Sequence, residues 1–334
     1  MLQGIIKKIK NAFRHKAIVL MYHRIASPES DVWELAVDER NFEQHLHFLK
    51  KRCNVVPLQY LADQINAGKL KKDCIAITFD DGYIDNFTAA KALLEKYNLP
   101  ATFFITSGQI AADREFWWDE LERIFLLTPQ LPGYFEIDIA GSAVKFDLTP
   151  EVNLTAEIQL KHRSWKAASM SPPTLRAQLY YKVWELLKPL PILEQEAYLQ
   201  LIRKWAGLTV TMRADYKVMS ESELKLFSVN NLFTIGAHTV NHPALAYHDQ
   251  EFQRAEIAEN KKYLEELTGS LVSFLAYPYG NYNGYTLQTA VETGFKAAFT
   301  TQKGTCEPNS HPFALGRLQV VNCTVKEFSR LLKV

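Results

Sequence analysis

The chain is predicted to be an α/β protein, either a βα barrel or a doubly wound sheet. Two observations predict it. β-type and α-type patterns alternate along the sequence, and the β-type runs are mostly continuous apolar stretches, as in strands buried on both faces of a parallel sheet. A length of 334 residues with 47% apolar and 12% aromatic content can bury a large core but is long for one compact domain, so one domain plus an insertion is expected.

In chain order, residues 1–16 come first. Ile5, Ile6, Ile9 and Phe13 recur at helical spacing among Lys7, Lys8, Lys10, Arg14 and Lys16, a pattern that suits an amphipathic helix on an anionic membrane surface as well as an ordinary solvated one. The apolar run Ala17–Tyr22 is too short for a signal peptide or a membrane span. A cytoplasmic location is expected, with residues 1–16 as a peripheral membrane contact and secretion as the alternative.

"AIVLMYH", "CIAITFD", "ATFFITS", "LFTIGAH", "VSFLAYP" and "AAFTT" read as strands, beginning at Ala17, Cys74, Ala101, Leu232, Val272 and Ala297. Between them "NFEQHLHFLKKR", "IDNFTAAKALLEKYN" and "EFQRAEIAENKKYLEELTG" read as helices, the last closed by Gly269. The alternation breaks from about Leu127 to Tyr216, where helical patterns follow Pro-rich connectors. Residues 127–216 are therefore expected to form a helical insertion, a lid or edge subdomain, in a main domain of residues 17–126 and 217–334.

Lys plus Arg at 38 against Asp plus Glu at 37 leaves no net field to attract nucleic acid, and none is expected as a partner. Cys53, Cys74, Cys306 and Cys323 show no C-x-x-C pairing and read as buried free thiols.

Ligands in parallel βα folds bind at the carboxyl ends of strands, and here strand after strand ends in a reactive group: His23, Asp80 and Asp81, His238, then Tyr279. Each alone has an ordinary explanation, such as a turn at "DDG" or a hydrogen-bonded core histidine. Together they point to a site. His238 and His242, four apart in "GAHTVNHPAL", can converge on one ion, and Asp81 would complete a two-His-one-Asp set with open positions, suited to Zn²⁺ or a similar divalent ion. Adjacent carboxylates repel and are costly to desolvate, so Asp80 beside Asp81 itself calls for an offsetting charge.

"TFDDGY" at Thr78–Tyr83, "HTVNH" at His238–His242 and "YPYG" at Tyr277–Gly280 resemble, in order, the first three motifs of the polysaccharide deacetylases, the NodB-homology carbohydrate esterases of family 4. The resemblance covers roughly Ala17 to Cys323 less the insertion. It implies a distorted (β/α) barrel that removes N-acetyl groups from amino sugars of a polysaccharide or glycan precursor. It further implies one divalent ion on Asp81, His238 and His242, zinc first with cobalt, nickel or iron as alternatives, with Asp80 as general base and the Tyr279 backbone N–H in the oxyanion hole. Amide hydrolysis needs these parts in any case: a polarised carbonyl, an activated water, a stabilised oxyanion and a proton for the amine.

The sequence departs from the family pattern twice. The late L-x-H histidine that supplies the acid is missing, with only His311 in that region. "LMYHRI" near the N-terminus resembles the circularly permuted subset that includes poly-N-acetylglucosamine deacetylases, which makes His23 the candidate acid. The arginine that orients the base is also absent from its usual place at the third motif, leaving Arg317 or Arg24 to reach Asp80. Substrate contacts are expected from Trp117, Trp118 and Asp119 in "EFWWDELE", together with Tyr277, because aromatic faces stack on sugar rings. Equally, the tryptophans could pack beneath the insertion.

Phosphoryl transfer is disfavoured, since the sequence has no Gly-rich phosphate loop. A catalytically inactive sugar-binding barrel, or a deacylase of a small or lipid-linked sugar, remains the alternative.

Overall fold

The computed structural model describes residues 15–70, 72–110, 112 and 114–333. The expected amphipathic helix within residues 1–16 lies, but for its last two positions, outside the described residues.

Eleven strands form among the described residues. They are β1 (Ala17–Tyr22), β2 (Arg24–Ile25), β3 (Ala36–Val37), β4 (Cys74–Phe79), β5 (Ala101–Ile105), β6 (Tyr134–Ile139), β7 (Ser142–Asp147), β8 (Phe233–Ala237), β9 (Phe274–Ala276), β10 (Ala297–Lys303) and β11 (Leu315–Gln319). Seven of them close a parallel barrel in the order β1-β11-β10-β9-β8-β5-β4. The barrel is the βα architecture expected.

β11 is the one barrel strand that the apolar-run criterion does not single out, because "LGRLQ" carries an arginine at its centre. It pairs β10 on one side and β1 on the other, so it closes the barrel.

Side chains alternate across each strand, and this decides where the polar groups go. Ile18, Leu20 and Tyr22 of β1, with Ile75, Ile77 and Phe79 of β4, pack outwards beneath the surrounding helices. The intervening Ala17, Val19, Cys74 and Ala76 line the barrel interior, where small residues leave room for Phe104 and Phe299. Both faces are buried, which is why the strands read as unbroken apolar runs. Continued past the strand ends, the inward series runs 19, 21, 23 on β1 and 76, 78, 80 on β4. His23 and Asp80 therefore arrive at the carboxyl mouth of the barrel facing inwards.

Residues 127–216 hold a strand pair beside the expected helices. Helices Ala156–Ser164, Leu175–Leu187 and Ile192–Ala206 are present, but β6 and β7 form an antiparallel hairpin. β6 alternates exposed and buried residues, unlike the barrel strands, so it escapes a search for continuous apolar runs. The stretch shares one apolar cluster with Phe116, Trp117 and Trp118 and with Tyr83 of the barrel mouth. All four cysteines are free, Cys74 and Cys306 buried and Cys53 and Cys323 only half-buried.

Candidate active site

Asp80 and Asp81 follow β4, and the turn that separates them is backbone-driven. Asp81 adopts φ 72° and Gly82 φ 82°, while the Gly82 N–H donates to the Asp80 carbonyl at 2.9 Å. Two successive left-handed residues swing the second carboxylate away from the first, and a glycine is the natural occupant of one of them. Thr239, His242 and Tyr279 also have positive φ, so strained backbone gathers at this mouth.

Asp80 is gripped by Arg317. The guanidinium donates to both carboxylate oxygens at 2.7 and 2.6 Å, and also to the Thr300 carbonyl and the Thr78 hydroxyl. Burial pushes the Asp80 carboxyl up, but Arg317 and His238 outweigh it, so the group lies below the ordinary carboxylate range. Arg24, the other arginine considered from sequence, turns elsewhere: it donates to Asp85 at 2.9 Å beneath the rings of Tyr83 and Tyr216. Asp85 also takes the Ile25 N–H, and Asn86 donates to the His23 carbonyl, so this pair of residues anchors the backbone that presents His23.

The Asp81 Oδ1 lies 3.4 Å from His238 Nε2 and 3.3 Å from His242 Nε2. All three residues are buried, and one ligand atom from each falls within 4.8 Å of the others. His238 Nδ1 lies 2.8 Å from the Ala276 carbonyl, which can only accept, so Nδ1 carries the hydrogen. Nε2 of a neutral ring then offers a lone pair to the cluster. Asp81 Oδ1 has no hydrogen-bond partner despite its burial. Lone pairs converging on an unpaired carboxylate oxygen are what a cation would satisfy. Ligand atoms about 2.1 Å from a tetrahedral ion sit about 3.4 Å apart, so these residues fit one divalent ion. Burial alone would raise the Asp81 carboxyl, yet contact with both imidazoles holds it well below its ordinary value. Burial pushes His242 down; for His238 it is outweighed by Asp81 and Asp80, which raise it.

The "HTVNH" loop is held from below by the helix Gln250–Thr268. Asn260 accepts from the His238 N–H and donates to the Ile105 carbonyl and the Ser107 hydroxyl. Glu256 takes the backbone and side-chain N–H groups of Asn241, each at 2.7 Å. Sequence reasoning missed both residues, although buried polar positions 256 and 260 on the helix's core face are a signal for such a role. The rings of Trp118 and Tyr279 flank His242, with centroids 4.6 Å away on each side. Gly280 is required beside Tyr279: a Cβ there would lie 2.2 Å from the Thr301 hydroxyl.

These groups line one cavity of about 360 Å³, within the usual range for a small-ligand site and roomy enough for a sugar residue. His23, Asp80, Asp81, His238, His242, Tyr279 and Trp118 are all on its wall. Arg317 stands behind Asp80. Three residues expected at the substrate are not on the wall. Tyr277 is buried, with its hydroxyl donating to the Phe313 carbonyl, because it directly follows β9 at an outward-facing position. Trp117 packs into the cluster formed with the insertion, between Trp118 and Trp184. Asp119 is buried and accepts the Tyr83 hydroxyl at 2.7 Å, and burial raises its carboxyl to about 8. His311 is exposed. In their place the cavity acquires Trp33, Trp184 and Lys188, the last two from residues 127–216. Nothing local marks Trp184 and Lys188, since the insertion reaches the mouth only through tertiary packing.

Comparison with known proteins gives a consistent picture. A family model described as polysaccharide deacetylase matches residues 67–126 and 196–298, passing over most of the insertion. YxkH of Bacillus subtilis, provisionally described as a polysaccharide deacetylase, is 22% identical over 314 residues, covering 93% of this chain and 74% of that protein. The poly-β-1,6-N-acetyl-D-glucosamine N-deacetylase of Staphylococcus aureus is 25% identical over 145 residues, covering 40% of this chain and 50% of that protein. Among solved structures, the Streptococcus pyogenes deacetylase PplD in complex with acetate shares the fold, with a TM-score of 0.58 at 18% identity, over 95% of this chain and 98% of that one.

Proposed function

The chain belongs to the polysaccharide deacetylase family of carbohydrate N-deacetylases, and from that premise we propose that it removes acetyl groups from N-acetylglucosamine units of a glycan at the barrel mouth, using one zinc ion. The observation that carries this reading is the placement of Asp80, clamped by Arg317, beside the Asp81, His238 and His242 cluster in one cavity. Asp81, His238 and His242 would hold the ion, which would supply Lewis acidity to the acetamido carbonyl and the attacking water.

This chain's own residues account for the remaining needs. Asp80 is kept ionised by Arg317 and is the base that takes a proton from the water. The Tyr279 N–H has no carbonyl acceptor among the described residues and would donate to the developing oxyanion. His23 lines the same cavity, and its ring makes no hydrogen bond among the described residues, so it would protonate the departing amine nitrogen. Trp118, Trp33 and Trp184 offer faces for sugar rings. The likeness to the Staphylococcus aureus protein favours a β-1,6-linked polymer of N-acetylglucosamine or its precursor as substrate.

An acetate-release assay with the zinc-loaded protein tests the proposal, across β-1,6- and β-1,4-linked N-acetylglucosamine oligomers and lipid-linked N-acetyl sugars. Release that depends on Asp80 supports it. Sugar binding without release from any of them would instead leave a carbohydrate-binding barrel.

A further inference from the structure

Buried arginines elsewhere in the molecule have their charge met, Arg176 by the backbone carbonyls of Glu151, Thr128 and Val152 and the others by carboxylates. Arg24 meets Asp85 at 2.9 Å, Arg317 meets Asp80, Arg203 meets Glu120 at 2.8 Å and Arg213 meets Glu115 at 2.6 Å. Lys188 differs. It is half-buried on the cavity wall, and among the described residues no carboxylate forms an ion pair with it. Its ammonium instead lies 4.9 Å from the ring centre of Trp184 and 4.6 Å from that of Tyr279. Tyr279 in turn packs on His242, so one phenol ring separates the ammonium from the ion-binding cluster.

The other charges of the cavity sharpen the contrast. Asp80 is matched by Arg317, and Asp81 belongs with the ion. The charge of Lys188 is left over, and burial pushes its ammonium below the ordinary value, because a cation there is desolvated without an anion beside it. Aromatic faces offset part of that penalty and fix the ammonium in place. A lysine with no task in the cavity could extend its flexible stem into solvent.

We infer that Lys188 forms an anion subsite, and that the amino-sugar substrate carries a carboxylate or phosphate group that pairs with it. The inference rests on the deacetylase reading above and adds a substrate class to it. A lysine is a compact point charge and suits either anion. A carboxylate would come from an acidic sugar next to the reacting residue, and a phosphate from a phosphorylated glycan or a lipid-diphosphate carrier.

The test is equilibrium binding to the zinc-loaded full chain, measured by calorimetry, with three probes of similar length: a neutral N-acetylglucosamine oligomer, an oligomer containing N-acetylmuramic acid, and an N-acetylglucosamine oligomer bearing a phosphate. At least one anionic probe should bind about tenfold more tightly than the neutral one, and the probe that does so identifies the anion. Lys188→Met should bring that ratio close to one, and Lys188→Arg should preserve most of it. Raising salt should weaken the anionic arm selectively in the native protein, a readout that needs no variant. Two anionic probes that both bind no better than the neutral one, or a ratio unchanged in Lys188→Met, overturn the subsite. If the Lys188-dependent ratio holds but no probe releases acetate, the deacetylase reading fails and the subsite stands. If acetate is released but the ratio is indifferent to Lys188, the subsite fails and the deacetylase reading stands.

Discussion

Arg317 and Asp80 stand 237 residues apart in sequence and meet through two hydrogen bonds of 2.7 and 2.6 Å inside the barrel. The pair joins β11 to the end of β4 across β1, and it keeps the carboxylate charged where burial alone would protonate it. Lysine cannot reproduce the fork. Arg317→Lys should therefore lower kcat/KM by about 10²-fold, roughly 2.7 kcal/mol in the barrier. With less to hold it down, the Asp80 pKa rises, so the acid limb of the pH profile of kcat/KM should move to higher pH. A parallel drop with no movement of the limb would mean that Arg317 only packs.

Asp81, His238 and His242 stand as a set. Replacing any one by Ala leaves two protein ligands at an open site, so each variant should lose both ion and activity. Asp80→Asn should retain the ion while turnover falls. Metal content by elemental analysis, read beside acetate release, separates these cases. An Asp80→Asn protein stripped of metal would reverse the roles given to the adjacent carboxylates.

His23 can be isolated by the choice of leaving group. His23→Ala should lower kcat on an N-acetyl sugar by roughly 10²–10⁴ with little change in bound metal. An aryl acetate departs without a proton, so the same variant should keep far more of its activity on that ester. Equal losses on both substrates would place His23 in the framework rather than in proton transfer.

Asp119 sits behind Trp118, bonded to the Tyr83 hydroxyl, with burial raising its carboxyl to about 8. A carboxyl whose folded pKa exceeds its unfolded value of about 3.9 favours the folded state when protonated. Its contribution is thus fully present below about pH 3.9 and is lost as pH rises through about 8. Asp119→Asn cannot ionise. Thermal melts between pH 5 and pH 9 should show the variant's Tm gaining steadily on that of the native protein. A constant difference would mean that Asp119 ionises normally.

The sequence by itself determined a parallel βα architecture and the residues at its strand ends, because both follow from local alternation, while closure into a barrel is a matter of strand order. Strands buried on two faces must be apolar throughout, and residues at the next inward positions beyond the strand ends, His23 and Asp80, must face the mouth. Asp81, His238 and His242 were legible through their motif spacing and their places after β4 and β8. Other features depended on tertiary packing. Arg317 and Arg24 are indistinguishable as partners for Asp80 until β11 is seen beside β1, because strand order is a long-range choice that no local pattern records. Tyr277 and Trp117 looked like sugar contacts but are taken up in packing, one facing outward just past β9 and the other against the insertion. Trp184 and Lys188 reach the cavity only because residues 127–216 fold back onto Tyr83 and Trp118. Side-chain burial there is set by which surfaces meet, and a surface far away in the chain leaves no mark on the residues that will face it.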